Sequence, residues 1–289
     1  MKLARETATV ASLLHDATAR IGATLGLDTR EARLEARVLA AFAWSVAPAW
    51  LISHDTDRPA QAQITQFNDL VARRLSGQPV AYLTGTREFY GRGFQVSPDV
   101  LIPRPDTELL VEQALLHIPA DQSVAVLDLG TGSGCIAITL ALERPLSRVT
   151  AVDRSVAALA MAKRNGDLLD APVEFLDSDW FSALAGRRFD LIVGNPPYVA
   201  STDPHLTQGD VRFEPLSALA ASSAGLSDLR HLIATAPGHL KPGGVLLLEH
   251  GYDQAGAVQD LLRAAHFGHV RCWTDLSGIY RVSGGVLSE

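Results

Sequence analysis

Residues 123–135 read "SVAVLDLGTGSGC". An aliphatic run ends in three alternating glycines, Gly130, Gly132 and Gly134, and "CIAITLALERP" follows at once. This reads as a buried strand, a glycine loop and a helix. Glycine there lets the backbone approach a ligand, and the helix N-terminus behind it favours a negative group. A dinucleotide fingerprint would place its third glycine at position 135, which holds Cys135.

The alternation begins at Thr107 and runs on toward the C-terminus. "TELLVEQALLHI" is predicted as the helix before the loop, and "RVTAVDRS", "PVEFLDSDW", "FDLIVGN" and "GGVLLLEHG" as further strands. Helical periods separate them at "SVAALAMAKRNGDLL", "LRHLIATAPGHL" and "AGAVQDLLRAA". Repeated strand–helix units with solid apolar strands predict a parallel sheet covered on both faces. "HVRCWTD" and "IYRVSGG" are joined by a short "LSG", so they should close one edge as an antiparallel pair.

Residues 1–84 have a different texture, helical throughout. Thr7 or Thr9 caps a first helix, and Asp28 caps a second with Glu31 in the capping-box position. A third, from Ala60, stops near Gly77. The expected organisation is a helical bundle over 1–84, a β-hairpin linker over 85–100 with its turn at "GRG", and an α/β domain over 101–289.

The chain has 289 residues and a net charge of −7. Residues 1–84 hold nine Lys+Arg and eight Asp+Glu, and residues 85–289 hold sixteen and twenty-four. A domain at −8 is a poor ligand for free nucleic acid, which needs clustered cations. Two cysteines, Cys135 and Cys272, make neither a disulfide framework nor a zinc site, and nine scattered histidines form no metal cluster. His266 and His269 flank an expected Phe-Gly turn. The stretch "VLAAFAWSVAPAWLIS" is broken by Ser45 and Pro48 and falls short of the roughly 20 residues that span a bilayer. The start "MKLARETATV" lacks the apolar segment of a signal peptide. A cytoplasmic monomer without metal or membrane attachment is expected.

The strand after the glycine loop ends in Asp153, nineteen residues beyond Gly134. A carboxylate at that place can accept from both ribose hydroxyls of a nucleoside, or can cap the next helix. After the third strand, Asp179 can accept from an exocyclic amine and Trp180 can pack on a purine face.

"FDLIVGNPPYVA" then ends a strand in Asn195-Pro196-Pro197-Tyr198. Two prolines cannot continue a central strand, so a stiff loop presents an amide and a phenol. The Asn195 side-chain oxygen and the Pro196 carbonyl can each accept one N–H of a planar –NH2 group, and the Tyr198 ring can stack on it. A nitrogen so held faces its electrophile, and orientation of this kind can supply about 7–11 kcal/mol.

With "EFYG", "IPRPDTE" (Ile102–Glu108), "DLGTGSG", "AVD", "SDW", "NPPY", "VRFEPLSAL" (Val211–Leu219) and "LLLEHG" in one chain, the sequence resembles class I S-adenosylmethionine-dependent methyltransferases. Specifically it resembles the PrmC/HemK family, the protein-(glutamine-N5) methyltransferases acting on peptide chain release factors. The resemblance spans nearly the whole chain and implies a Rossmann-like catalytic domain. It implies S-adenosylmethionine as cofactor, S-adenosylhomocysteine as product, and the glutamine of a Gly-Gly-Gln loop as substrate. By the same resemblance Gly130, Thr131, Gly132, Ser133 and Gly134 cradle the methionine part, Asp153 holds the ribose, and Asp179 and Trp180 lie at the adenine. Asn195 touches cofactor and substrate, and Asn195, Pro196, Pro197 and Tyr198 bind the substrate amide. Arg104 and Glu108 are expected to close the pocket, while His250 either packs near it or is a satisfied core histidine. "NPPY" is shared with a glutamine methyltransferase of a ribosomal protein and with adenine-N6 DNA methyltransferases. A helical adaptor on an inactive methyltransferase fold is the non-enzymatic alternative.

Overall fold

The computed structural model describes residues 8–288, which fall into two compact units. One is Met1–Gly85 with Gln208–Phe213, and the other is Thr86–Thr207 with Glu214–Glu289.

The first unit is helical. Thr9 caps Val10–Leu25: its hydroxyl accepts from the Ser12 N–H at 3.2 Å, and Ser12 Oγ accepts in return from the Thr9 N–H at 2.9 Å. Thr7, the other candidate cap, lies outside the described residues. Asp28 caps Thr29–Trp44, accepting from the amides of Arg30 and Glu31 at 2.7 and 2.8 Å. Gln61–Leu75 ends at Ser76, and Gly77 follows at φ +97°, the left-handed region that glycine tolerates. The apolar stripes of these helices meet in a core around Ile21, Leu39, Trp44, Phe67 and Val71. Inside this unit the buried Arg74 pairs with Glu35 at 2.8 Å and with Asp210, also at 2.8 Å. Two charged partners offset much of the cost of burying a guanidinium. Residues 208–213 were not foreseen here, because six residues without helical period carry no signal of where they pack.

The second unit begins with strands β1 (Thr86–Phe89) and β2 (Arg92–Gln95), an antiparallel hairpin. Its turn is Tyr90-Gly91, with φ of 51° and 73°, and not the expected "GRG"; Gly93 pairs within the ladder opposite Glu88. Two successive positive φ values suit a tight hairpin turn. Phe89 and Phe94 are fully buried with Leu110 and Ile136, so the hairpin is part of this unit's core.

The main sheet follows with β3 (Ala125–Leu129), β4 (Arg148–Asp153), β5 (Val173–Asp177) and β6 (Phe189–Gly194). A minor pair, β7 (Val199–Ala200) and β8 (Ala220–Ala221), stands apart from it. Strands β9 (Leu240–Glu249), β10 (Phe267–Thr274) and β11 (Tyr280–Leu287) complete the seven-stranded order β10-β11-β9-β6-β3-β4-β5. β9, β6, β3, β4 and β5 are mutually parallel, and β11 is antiparallel to both β9 and β10. The antiparallel closing pair therefore sits at one edge, as its short connection requires.

Apolar strands without polar alternation need cover on both faces, and they have it. Val126, Leu191, Val193 and Leu247 pack with helices Glu108–Leu115 and Cys135–Glu143. Leu127, Ile192 and Leu246 pack on the other face with Ser227–Thr235 and Ala255–Ala264. From β3 the chain steps outward to β4 and β5, then returns past β3 to β6. That reversal opens a crevice at the carboxyl ends of β3 and β6, where ligands bind in open α/β sheets. Among the described residues no helix is long and apolar enough to cross a membrane.

Candidate active site

A cleft at the carboxyl ends of the parallel strands is lined by Gly130, Gly132, Asp153, Asp179, Trp180 and Asn195. Four strands far apart in sequence thus bring the expected residues to one place. Gly130, Gly132 and Gly134 have φ of 72°, 55° and 84°. At Gly134 a Cβ would come within 3.2 Å of Ala162 Cβ, so glycine lets the loop pack closely on helix Val156–Leu168. A Cβ on Gly132 would meet nothing within 4 Å, so at that point the loop borders open space.

Asp153 ties the loop to the neighbouring strand. Its Oδ2 accepts from the Gly132 amide and its Oδ1 from the Ser155 amide, both at 2.9 Å. Ser155, not Asp153, caps helix Val156–Leu168, with its hydroxyl accepting from the Ala158 N–H. A carboxylate has about four acceptor positions, so two remain for a ligand. Trp180 stands at φ 50°, rare for a bulky side chain, and its carbonyl is held by the Ser178 hydroxyl at 2.8 Å. Its ring lies over Gly130, where a Cβ would come within 3.2 Å of it.

Asn195 and Pro197 line the cleft; Pro196 is buried, and neither it nor Tyr198 is among the lining residues. The Tyr198 ring packs against the apolar layer that contains Phe181 and Ile192. Its hydroxyl donates to Glu249 Oε1 at 3.2 Å, and its carbonyl accepts from Gln254 Nε2 at 3.0 Å. Burial, with Glu249 next in effect, raises the phenol above its ordinary range. On the other side, Asn195 Nδ2 donates to the Thr107 hydroxyl at 3.2 Å.

Several buried polar residues behind this layer were not singled out from sequence. Asn165, fully buried on helix Val156–Leu168, accepts from the Gln95 amide at 2.8 Å and donates to the carbonyls of Gln95 and Ser133 at 3.0 and 2.8 Å. It joins the glycine loop to the hairpin. Asp128, buried in β3, accepts from Thr131 Oγ1 at 2.6 Å, and burial raises its carboxyl to about 7. Glu249, buried at the end of β9, is raised to about 7 for the same reason. Glu214 is buried and accepts from the Ile102 amide at 3.1 Å and from the Arg104 guanidinium. A charged residue inside an apolar strand, as in "VLDLG" and "LLLEHG", was the available signal for two of them.

Two expectations, for Arg104 and Glu108, need correcting. Arg104 turns to Glu214, and Glu108 accepts from the Tyr90 amide at 2.9 Å, so it anchors the hairpin instead of closing the cleft. His250 is a satisfied core histidine between the Gly251 carbonyl and the Ser283 hydroxyl, each at 2.8 Å, and burial lowers its pKa. Cys135 is a buried thiol pushed up to about 12.

Residues 105–210 match a family model described as a methyltransferase small domain, and residues 12–85 match the PrmC N-terminal domain. A release factor glutamine methyltransferase of Bordetella pertussis is 52% identical over 88% of this chain and 95% of its own length. One of Pseudomonas aeruginosa is 50% identical over 89% and 94%, and one of Escherichia coli is 45% identical over 88% and 91%. Among solved structures, a methyltransferase from Pyrococcus furiosus superposes with a TM-score of 0.54 at 17% identity, covering 77% of this chain and 100% of that one. A 16S rRNA methyltransferase of T. thermophilus, solved with AdoMet and guanosine, gives 0.53 at 22% identity over 70% of this chain and 49% of its own. These two share the Rossmann-like fold, while the identity and coverage of the curated relatives go further: the chain belongs to the release factor glutamine methyltransferase family.

Proposed function

We propose that the protein transfers a methyl group from S-adenosylmethionine to the side-chain amide nitrogen of the glutamine in the Gly-Gly-Gln loop of peptide chain release factors. The observation that carries this reading is the convergence, in one cleft, of the glycine loop, Asp153 and Asn195.

The residues fit the cofactor. Open space beside Gly132 leaves room for the methionine part along Gly130 and Gly132, the two loop residues that line the cleft, with Thr131, Ser133 and Gly134 packed behind them. The free acceptor positions of Asp153 suit the ribose hydroxyls, and Asp179 and Trp180 suit the adenine amine and ring face. Bound S-adenosylmethionine supplies an electrophilic methyl on a sulfonium and leaves as S-adenosylhomocysteine. The chain's own part is orientation. Asn195 Oδ1 and the Pro196 carbonyl each accept one amide N–H of the glutamine, and Pro197 fixes the angle between them. Tyr198 packs behind the cleft and anchors the loop through its hydroxyl on Glu249 and its carbonyl on Gln254. No strong base is needed, because an alkylated amide nitrogen is acidic and gives its proton to water.

The helical unit is proposed to recognise the protein substrate. Helix Thr29–Trp44 exposes Leu34, Val38 and Phe42, at 64, 36 and 45% of their full areas, one turn apart on a single stripe. Residues four apart share a helix face, and such an apolar stripe suits a protein surface. Incubation with labelled S-adenosylmethionine and, in parallel, a release factor, a ribosomal protein and DNA tests the reading. Label in the release factor, lost when its Gly-Gly-Gln glutamine is replaced, is expected. Label chiefly in the ribosomal protein or in DNA would replace the substrate assignment.

A further inference from the structure

Pro196 and Pro197 have no backbone N–H, so neither can hold the Asn-Pro-Pro-Tyr loop by an amide. The next carbonyl is held instead. Tyr198 O accepts from Gln254 Nε2 at 3.0 Å, and the other end of that amide, Oε1, accepts from the Gly251 N–H at 2.9 Å. With an acceptor facing one end and a donor facing the other, the Gln254 side chain has one orientation. Gly251 is fixed in turn. Its carbonyl accepts from the Gln254 amide at 3.1 Å and meets His250 Nδ1 at 2.8 Å. A carbonyl only accepts, so Nδ1 carries the imidazole proton, and Nε2 of the neutral ring accepts from the Ser283 hydroxyl at 2.8 Å. Gln254, His250 and Ser283 are all buried. Ser283 lies in β11 opposite Leu248 of β9, so a row of hydrogen bonds runs from the sheet to the Tyr198 carbonyl. Gly225 packs directly on the last of these bonds, where no Cβ would fit. Gln254 does not line the cleft.

We infer that Gln254 is a positioning residue that fixes, through the Tyr198 carbonyl, the direction in which the loop presents the Pro196 carbonyl to the substrate amide. Four soft torsions separate the two carbonyls, and the Pro197 ring locks the first of them. Holding the Tyr198 carbonyl therefore leaves the Pro196 carbonyl little freedom to turn, and a small misplacement of an oriented nucleophile is costly. The inference rests on the proposed role of the loop, and it deepens that role by naming the group outside the cleft that sets its aim.

Gln254→Leu removes both side-chain hydrogen bonds at similar size. Gln254→Glu keeps the acceptor for Gly251 but sets a second oxygen against the Tyr198 carbonyl, to which it can donate only when protonated. Both are assayed in the full chain against intact release factor from pH 6 to 9, with S-adenosylmethionine affinity measured by calorimetry. For Gln254→Leu the expected result is a kcat loss of at least tenfold, with KM for the release factor and cofactor Kd within twofold. Gln254→Glu should exceed Gln254→Leu in kcat at pH 6 and lose that advantage as its carboxyl ionises. The ionisable neighbours Tyr198, Glu249, His250, Asp253 and Arg281 are the same in both variants, so their titration cancels. General loosening of the fold would not be repaired by one proton. The inference is overturned if Gln254→Leu keeps kcat within twofold, if Gln254→Glu is no better than Gln254→Leu at pH 6, or if the losses follow lost cofactor binding. Absence of transfer by the unmodified protein would instead overturn the proposed function, so the two failures are distinct.

Discussion

The Gly132 amide donates to the Asp153 carboxylate over 2.9 Å, joining the glycine loop after β3 to the acid at the end of β4. The loop and the acid are read separately along the sequence but form one structure. Replacing Asp153 by Ala removes a proposed ribose acceptor and leaves the amides of Gly132 and Ser155 without their partner. Hydrogen bonds to a charged group are worth about 1.5–3 kcal/mol each, so cofactor affinity should fall at least tenfold. The unfolding midpoint of the cofactor-free protein should fall as well. Calorimetry with unchanged affinity would remove Asp153 from the site, whatever the stability change.

Asn165 makes a second prediction about the loop. Asn165→Ala leaves the Gln95 amide and the carbonyls of Gln95 and Ser133 without this partner. The expected cost is about 1–3 kcal/mol for each group that water cannot reach. Asn165→Asp should be worse, since it aims a carboxylate oxygen at two carbonyl oxygens. Urea unfolding orders the variants. An Asp variant as stable as the original protein at pH 7 would mean that Asn165 does not clamp the loop.

These two sites show what local sequence could reveal. The strand–loop–helix around Gly130, the acid at Asp153 and the Asn-Pro-Pro-Tyr loop were legible because each is a short pattern with its own backbone requirement. Thr107, Asn165, Glu214 and Glu249 were not, because their meaning lies in partners 51 to 112 residues away. Thr107 within "PRPDTE" looks like a helix-start residue, and only the fold places its hydroxyl against Asn195. The hairpin was legible as a hairpin. Its turn was displaced because glycines at 91 and 93 both invite a turn, and burial of Phe89 and Phe94 selects the register.

Glu249 carries a pH dependence of known sign. Its carboxyl is raised by burial from 4.5 to about 7, with Tyr198, Asp106 and Arg281 the ionisable neighbours that act on it. Below pH 4.5 the group is protonated in both states, and its protonated burial contributes fully. As pH rises toward 7 the unfolded chain releases the proton first, so this contribution is lost and then levels off above the folded value. A rise from 4.5 to about 7 corresponds to about 3 kcal/mol. Glu249→Gln cannot ionise, so its stability relative to the original protein should improve by up to that amount between pH 5 and 8. Asp128 titrates equally in both proteins and cancels. A difference independent of pH would show that Glu249 ionises freely in the fold.

Gly225 has φ +80°, and a Cβ there would lie 2.0 Å from the Tyr198 carbonyl oxygen and 2.7 Å from Gln254 Nε2. Gly225→Ala must displace the Gln254–Tyr198 hydrogen bond that holds the Asn-Pro-Pro-Tyr loop from behind. Methyl transfer should fall at least tenfold, because a small misplacement of an oriented nucleophile is costly. Cofactor affinity should change little. Normal turnover would show that the loop tolerates movement at Tyr198.

The helical unit is best tested by substitution on its surface. Deleting residues 1–84 would also strip Gln208–Phe213 of its packing partners. Arg74 pairs with Asp210, and Arg212 donates to the Ser76 carbonyl at 3.0 Å, so loss of activity would report damage as readily as lost recognition. Leu34→Ser with Phe42→Ser touches only exposed side chains, so the fold should stand. If this stripe grips the release factor, kcat/KM for the intact protein substrate should fall about tenfold or more, equal to about 1.4 kcal/mol of lost contact. Remote binding energy can also hold the loop in reactive geometry, so kcat should share part of the loss. If the stripe acts by contacting the folded release factor, methylation of a short Gly-Gly-Gln peptide should be unchanged. Equal effects on peptide and protein would point to a disturbed catalytic unit. No effect on either would move the recognition surface elsewhere on the molecule.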